Sequence, residues 1–521
     1  MKSKTTLMIL VMILAGILFR LFLTWNGNFL FNMDNARDMV DVREMIVLGK
    51  FRLTGPNSAI EGLFNGPFWY YLLAVPFIIS GGNPYASIIM EFILWAVGGF
   101  FLLKLVSNWG RVLILPIGLL WIASNYIVLT NLYAFNPNPV TLLTPLFIYL
   151  LVSYLQKGKA ILGILVWLLA GLFFNFEMNI GVFMPLIILA SIILTKKFSL
   201  LKNNNFWIGV GVFILTLMPQ VIFDFKHQFI MSKAIVKFLA ESNGSGFNPW
   251  KRLPVIWLSF YNTFQATMMN QKLLASAILV LSIPILKKFL SQGKKDITAL
   301  VSLTFILVPF IGYLIVPVSV NPWHLGGPMA ASLIFIGFLL KELISFGITG
   351  KLISAILTVS IILFGVGNIT NFFLNDMGKP SMDPSIFRNE IAAIDYVYKQ
   401  SLRAYALKKA GGKNFKVYTY LPSVYDYPYQ YLFWWYGKKT YGYIPGEYVY
   451  SPNKPKYIPS QESFQGRKEN SPGLVFLIKE PDRNYTRAGW EGDFIKYNWE
   501  TIGKQMVGPL EVEIRKEKTT K

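Results

Sequence analysis

The chain of 521 residues is 54% hydrophobic and 16% aromatic but only 15% charged, and apolar runs of about 18 or more residues, enough to cross a bilayer, recur along it. That composition makes it a polytopic membrane protein. Its formal charge of +22 suits anionic lipid headgroups or a phosphorylated substrate, and the apolar bulk argues against nucleic acid. With no cysteine and two histidines, disulfides and thiolate metal sites are excluded and a histidine-built metal site is disfavoured, so chemistry must come from carboxylates, basic groups and aromatics.

The first run, TLMILVMILAGILFRLFLTW, is longer than the apolar core of a signal peptide and ends without a small-residue cleavage site, so it reads as a retained first helix. Directly after it, FNMDNARDMVDVREM (31–45) packs Asp34, Asp38, Asp41 and Glu44 into one short amphipathic stretch. The segment GPFWYYLLAVPFIISGG (66–82) is short and bounded by Pro and Gly, and reads as an interfacial or re-entrant helix on the outer side. Membrane spans are expected at roughly 6–25, 87–106, 112–130, 138–155, 160–176, 178–195, 206–222, 273–290, 297–317, 325–341 and 352–373, about eleven in all. Lys2 and Lys4, KGK at 157–159, KK at 196–197, 287–288 and 294–295, and Lys341 with Lys351 mark cytoplasmic sides, and parity then places the C-terminus outside.

The chain changes character after about residue 376. LNDMGKPSMDPSIF is a linker rich in turn residues, FKVYTY and GLVFLIK alternate as strands do, and IFRNEIAAIDYVYKQSLRAYALKKA has helical periodicity. The expected organisation is therefore a mainly α polytopic membrane domain over 1–376, whose first outer loop (26–86) carries the site, and a soluble outer α+β domain over 377–521. The tail RKEKTTK reads as a frayed, solvated end. The aromatics of PFWYY, Tyr70 and Tyr71 among them, and of DYPYQYLFWWYG (426–437) suit an interfacial belt as much as a sugar-stacking surface, with the belt favoured.

Of the 27 acidic residues, 15 lie after residue 380 and 12 before it, and five of those 12 (Asp34, Asp38, Asp41, Glu44 and Glu61) fall in the first outer loop. On a helix Asp34, Asp38 and Asp41 share a face, and pairing of Arg37 with Asp41 would leave Asp34 and Asp38 less neutralised. On spacing alone the ordinary reading is a solvated face with Asp34 or Asn32 as N-cap.

Context moves that reading. MDNARDMVDVREMIVLGKF followed by NGPFWYYLLAVPFIISGGNPYASIIMEFI resembles the opening of the dolichyl-phosphate-mannose protein mannosyltransferase-like family, which includes bacterial members and the lipid A aminoarabinose transferases. Three further stretches fit in order: FNFEMNIGVFMPLIIL (174–189), PQVIFDFKHQFIMSKAIVKFL (219–239) and VNPWHLGGPMAASLIFIGFLL (320–340). The resemblance implies a GT-C bundle with outer-side juxtamembrane helices, and a glycosyltransferase that takes a sugar from a polyprenyl-phosphate donor to a protein, glycan or lipid acceptor at the outer face of the cell membrane. By position Asp34 matches the family's catalytic acid. Asn35 stands where a second acid is usual, so that acid's role falls to Asp38 or Glu61 or is missing, and a divalent metal stays open without being indicated.

Residue chemistry agrees with this implication. A carboxylate in a water-poor cleft can take or orient an acceptor proton, and a departing lipid phosphate needs cations or donors aimed at it. Candidate donor-phosphate groups are Arg37, Arg43, Lys226, His227 and His324, each set against a plainer role as ion-pair partner, headgroup contact or snorkelling lysine. Glu177, in the apolar FFNFEMNIG, is costly unless paired or facing a cavity, and either touches the sugar or caps a turn. The rival class is a lipid or glycolipid transporter or flippase. Such a protein would carry charges along the middle of several spans, and here nearly all of them sit at ends and loops.

Overall fold

The computed structural model describes residues 2–58, 60–244, 248–291, 296–375, 382–406, 415–423, 425–448, 461–464, 466 and 473–518. By internal contacts the chain divides into two units, Met1–Leu23 with Arg52–Leu72 and Ile88–Asn375, and Thr24–Phe51 with Leu73–Ser87 and Asp376–Lys521. The KK pair at 294–295 and residues 376–381 of the 374–387 linker lie outside the described residues.

The first unit is helical, and each expected span coincides with a helix or a broken pair of helices. Seven helical stretches among the described residues are long and apolar enough to cross a membrane, and shorter apolar helices such as Ala160–Phe176 stand beside them. The breaks have local causes. Ser124 leaves helical geometry (ψ 126°) and its hydroxyl caps the backbone of Ile127, splitting the 112–130 run into Ile114–Ala123 and Asn125–Leu129. Glu177 is extended (φ −149°, ψ 103°), ends Ala160–Phe176 and caps the short helix Met178–Gly181.

Two helices of this unit fall outside the expected spans, Ile230–Gly244 and Pro249–Thr267. The second begins PWKRLP, which hides it from an apolar-run search. Arg252 explains its place: Nη2 donates to the Val318 carbonyl at 2.6 Å and Nε to that of Tyr313 at 3.2 Å, satisfying carbonyls at the C-terminal end of Ile297–Ile315.

The second unit carries a five-stranded sheet. β1 (Lys416–Tyr420), β2 (Glu447–Tyr448), β3 (Val475–Lys479), β4 (Trp499–Val507) and β5 (Leu510–Glu517) lie in the order β2-β1-β3-β5-β4. β1 runs parallel to β2 and β3, whereas β5 is antiparallel to both β3 and β4. The two expected strands are β1 and β3, and the expected helix is Phe387–Ala406. The tail expectation is corrected: Arg515–Glu517 close β5 because Leu510, Val512 and Ile514 alternate into the interior, and only 519–521 lie outside the described residues. The aromatic stretch is corrected too. Tyr427–Leu432 is helical and widens into a π-helical turn, Phe433–Tyr441, with Tyr429, Tyr431 and Phe433 fully buried as core of this unit.

The acidic stretch is a helix of the same unit, Met33–Val47, opened by Asn32, whose side chain accepts from the backbone of Asp34 and Asn35. The strand-like segment before it is pinned to the C-terminal part: Phe31 N donates to the Ser385 carbonyl (2.8 Å), Phe387 N donates to that of Phe29 (2.9 Å), and Phe29 stacks on Phe387 at 4.7 Å. Further along, Tyr431 Oη donates to the Gly82 carbonyl at 2.5 Å, and the left-handed φ of +83° at Gly82 makes glycine the natural residue of that turn.

Candidate active site

In the first unit, the stretches that carry the family resemblance meet one another. Asn65 Oδ1 accepts from the backbone of Met178 at 3.0 Å, and Gly66 N donates to the Asn175 carbonyl at 3.0 Å. A Cβ on Gly66 would stand 1.7 Å from Asn175 Oδ1, so only glycine permits this approach. Gln220 Nε2 donates to the Phe64 carbonyl at 3.0 Å, and Asn179 Nδ2 lies 3.2 Å from His324 Nε2. NGPF, FNFEMN, PQVIF and WHLGG are thus stitched together by amide side chains.

Glu177 lies at the centre of that network and is buried. Its Oε1 accepts from the backbone and side chain of Asn179 (3.2 and 2.8 Å), and Asn136 Nδ2 lies 3.5 Å from Oε2. Burial pushes its carboxyl up to about 7, against the hydrogen bonds from Asn179 and Asn136, which pull it down. A folded carboxyl near 7 and an unfolded one near 4.5 mean that the folded chain holds the extra proton between those values. Stability therefore falls as pH rises through that window and levels off above it. Glu177→Gln, which mimics the protonated form, is expected to match the wild type near pH 5. Near pH 8 it should be more stable by up to about 3 kcal/mol. Thermal melts at the two pH values check this, and parallel shifts of both proteins would mean an ordinary carboxyl.

His324 has a structural task. Asn321 N donates to its Nδ1 at 3.3 Å in a capping box that opens the turn Pro322–Leu325. Tyr313 Oη ties the same turn to Asn179 through carbonyls at 3.1 Å (Asn179) and 3.4 Å (His324). Both ring nitrogens thus have neighbours within the protein, Nδ1 the Asn321 backbone and Nε2 the Asn179 amide.

Other candidates of this unit are spread out. Lys226 and His227 end the helix Asn204–Lys226 and are exposed; the His227 Nδ1–H donates to the Phe223 carbonyl at 2.8 Å and its ring stacks on Phe223 at 4.0 Å. Glu61 is exposed and lines a groove of about 420 Å³ with Lys233, Lys237 and Phe238. Tyr70 is buried, and Tyr71 Oη donates to the Arg52 carbonyl at 2.8 Å.

The second unit holds the acidic helix, where the expected Arg37–Asp41 division of charge is corrected. Arg37 reaches Asp34 (Nη1 to Oδ1, 3.1 Å) and Asp38 (Nη2 to Oδ1, 2.8 Å; Nε to Oδ1, 2.9 Å), so these two acids are its partners. They differ in access: the Asp38 side chain is 0% exposed and that of Asp34 is 36% exposed. Asp34 Oδ2 has no hydrogen bond among the described residues. Asn35 is buried and donates to the Leu30 carbonyl at 2.8 Å. Arg43 is interior, over the Phe464 ring at 3.7 Å, with Nη1 donating to the Gln430 carbonyl at 3.3 Å. Among the described residues no group of three or more His, Cys, Asp or Glu is placed to hold a metal ion.

Sequence reasoning passed over Asn65, Asn136, Asn175 and Asn179. Their signal is the density of asparagine inside apolar runs (LFNGPF, AFNPNP, FNFEMN), where each amide must find a partner.

No family model and no curated protein matches the sequence. Solved structures do. ArnT from Cupriavidus metallidurans bound to undecaprenyl phosphate superposes with a TM-score of 0.61 at 12% identity, covering 97% of each chain. The same protein in the apo state gives 0.56 at 13% identity, again over 97% of both. The chain has the GT-C fold. That fold accounts for the many spans, for the helices between them, and for the small sheet domain that closes the chain.

Proposed function

We propose that this GT-C protein is a glycosyltransferase that moves a sugar from a polyprenyl-phosphate donor to an acceptor hydroxyl, with inversion and with lipid phosphate as leaving group. The observation that carries the reading is the likeness over 97% of both chains to a protein whose structure holds undecaprenyl phosphate. In the reaction the acceptor oxygen attacks the anomeric carbon and gives up its proton, the carbon–oxygen bond to phosphate breaks, and phosphate leaves with the electron pair. Asp34 receives or orients the acceptor proton through its open Oδ2. Lys226 and His227 offer exposed donors for the charge gathering on phosphate. Arg37 holds the two acids, and Arg43 and His324 serve structure. The lysine-rich short loops at 157–159, 196–197 and 287–288 support an outward-facing residue range of 382–518.

The test is transfer by the purified, reconstituted chain from a radiolabelled polyprenyl-phosphate sugar to an envelope extract. Label is expected to leave the lipid and appear on an acceptor; movement of the lipid across the bilayer without transfer would overturn the reading in favour of a flippase. In the same assay Lys226→Ala is expected to weaken use of the donor roughly 10- to 100-fold, the about 1.5–3 kcal/mol of a charge-assisted hydrogen bond. Unchanged donor kinetics would remove Lys226 from the site.

A further inference from the structure

The second unit contains a cleft of about 750 Å³ between the helix Arg487–Gly492, the segment 493–498 and the β4–β5 ribbon, and the mechanism above makes no use of it. Its volume is within the range of about 300–1,000 Å³ typical of small-molecule sites. Two features of its lining bear on a ligand.

One feature is a fixed aromatic wall. Tyr497 and Trp499 stack at 4.4 Å with 11° between their planes, and both are partly exposed. Behind them Phe494 lies 6.0 Å and Tyr418 6.1 Å from the Trp499 ring, the latter pair nearly parallel at 20°. These rings belong to the cluster of Tyr418, Val475, Leu477 and Phe494 that forms part of the core here, so the wall needs no ordering when something binds. The backbone reinforces it: Trp499 N donates to the Tyr497 carbonyl and Lys518 N to the Asn498 carbonyl, each at 2.8 Å.

The other feature is unbalanced positive charge. Lys496 and Lys518 are exposed and have no carboxylate partner among the described residues. Arg515 spends Nε on Glu513 at 2.8 Å, while its two terminal nitrogens have no hydrogen bond among the described residues. The one acid that lines the cleft, Glu491, is already engaged by Lys479 at 2.7 Å and Arg487 at 3.1 Å. Three cations thus face the cleft against one neutralised carboxylate.

We infer that this cleft binds an acidic saccharide, a pyranose chain carrying carboxylates, with the sugar's apolar C–H face on the outer ring face of Tyr497, which Trp499 backs, and its carboxylates on Lys496, Arg515 and Lys518. A pyranose has one flat apolar face and a rim of hydroxyls, and Asn498 supplies an exposed amide for that rim. A guanidinium with free terminal nitrogens suits a carboxylate, which it can hold through two parallel bonds. An acidic peptide would satisfy the cations but offers no flat face to the rings. The inference does not rest on the transfer reaction, because it concerns binding alone.

Titration calorimetry of the full chain in detergent, at low and at physiological salt, tests it with three probes: tetragalacturonate, the uncharged galactose tetrasaccharide and tetraglutamate. Tetragalacturonate is expected to bind at least about 10-fold more tightly than either of the others and to weaken as salt rises. Lys496→Ala with Lys518→Ala, two exposed positions whose loss leaves the core intact, should weaken it roughly 10-fold or more while the melting temperature stays put. Tyr497→Ala should weaken both saccharides. No heat with tetragalacturonate, equal affinity for tetraglutamate, or an unchanged double variant would each overturn the inference.

Discussion

Asp34→Asn is expected to lower sugar transfer by about 10²–10⁴-fold while leaving the fold and donor binding in place. The substitution keeps the size of the side chain and an oxygen for the Arg37 contact, and removes only the negative charge and the capacity to take a proton. The Asn32 cap, which opens the helix, is untouched. Because the Asp34 side chain is 36% exposed and its ion pair with Arg37 spans one helix turn, the structural cost should stay within about 0.5 kcal/mol. Transfer rates and melting temperatures of the purified variant, measured together, decide the matter. Wild-type turnover would reduce the residue to one arm of an ion-pair triad and move the catalytic assignment to Glu61 or Glu177.

Asp38→Asn should behave in the opposite way. Its carboxylate is wholly buried and accepts from both Nε and Nη2 of Arg37, whose own side chain is only 16% exposed. Neutralising it weakens two charge-assisted bonds inside the unit and leaves Arg37 to Asp34 alone, a change that costs about 1–3 kcal/mol. For a unit of this size that amounts to a drop of roughly 2–12 °C in melting temperature. Activity per folded molecule should fall far less than in Asp34→Asn. Arg37→Met removes the other side of the same bonds, so the double variant should lose less than the sum of the two single ones. If Asp38→Asn melts with the wild type yet fails in transfer, the two acids have exchanged roles.

The eleven apolar runs were legible because a bilayer demands an uninterrupted length, and 160–176 agrees with the helix Ala160–Phe176 to the residue. Pro249–Thr267 was not, since Lys251, Arg252 and Pro254 break its apolar character and the carbonyls that Arg252 satisfies lie more than sixty residues away. Aromatic density in DYPYQYLFWWYG spoke equally for an interface and for an interior, and only packing tells the two apart. β5 was visible in the alternation of Leu510, Val512 and Ile514, but the lysines behind it drew the eye to a frayed end. In the candidate site, spacing allowed Arg37 to reach Asp34, Asp38 or Asp41, and no periodicity rule chooses among i−3, i+1 and i+4. The asparagine network around Glu177 was hidden for a different reason: the bonds that tie Asn136, Asn65 and His324 into it join stretches that are remote in sequence.

The segment that carries Asp34 leaves the ribosome early, whereas the groups that hold it leave late. Phe31 hydrogen-bonds to Ser385, and the Arg43 bond to Gln430 spans 387 residues. At a synthesis rate of about 5–20 residues per second, roughly 20–80 seconds separate the two ends of that bond. A lone helix of fifteen residues is marginal in water, so over that interval Met33–Val47 has little to keep it folded. Met33–Val47 must therefore wait until the residues around 385 and 430 supply its partners. The carboxylate proposed for the chemistry is set in place by residues made hundreds of positions later, and a nascent chain that stops short of them carries Asp34 on an unanchored segment.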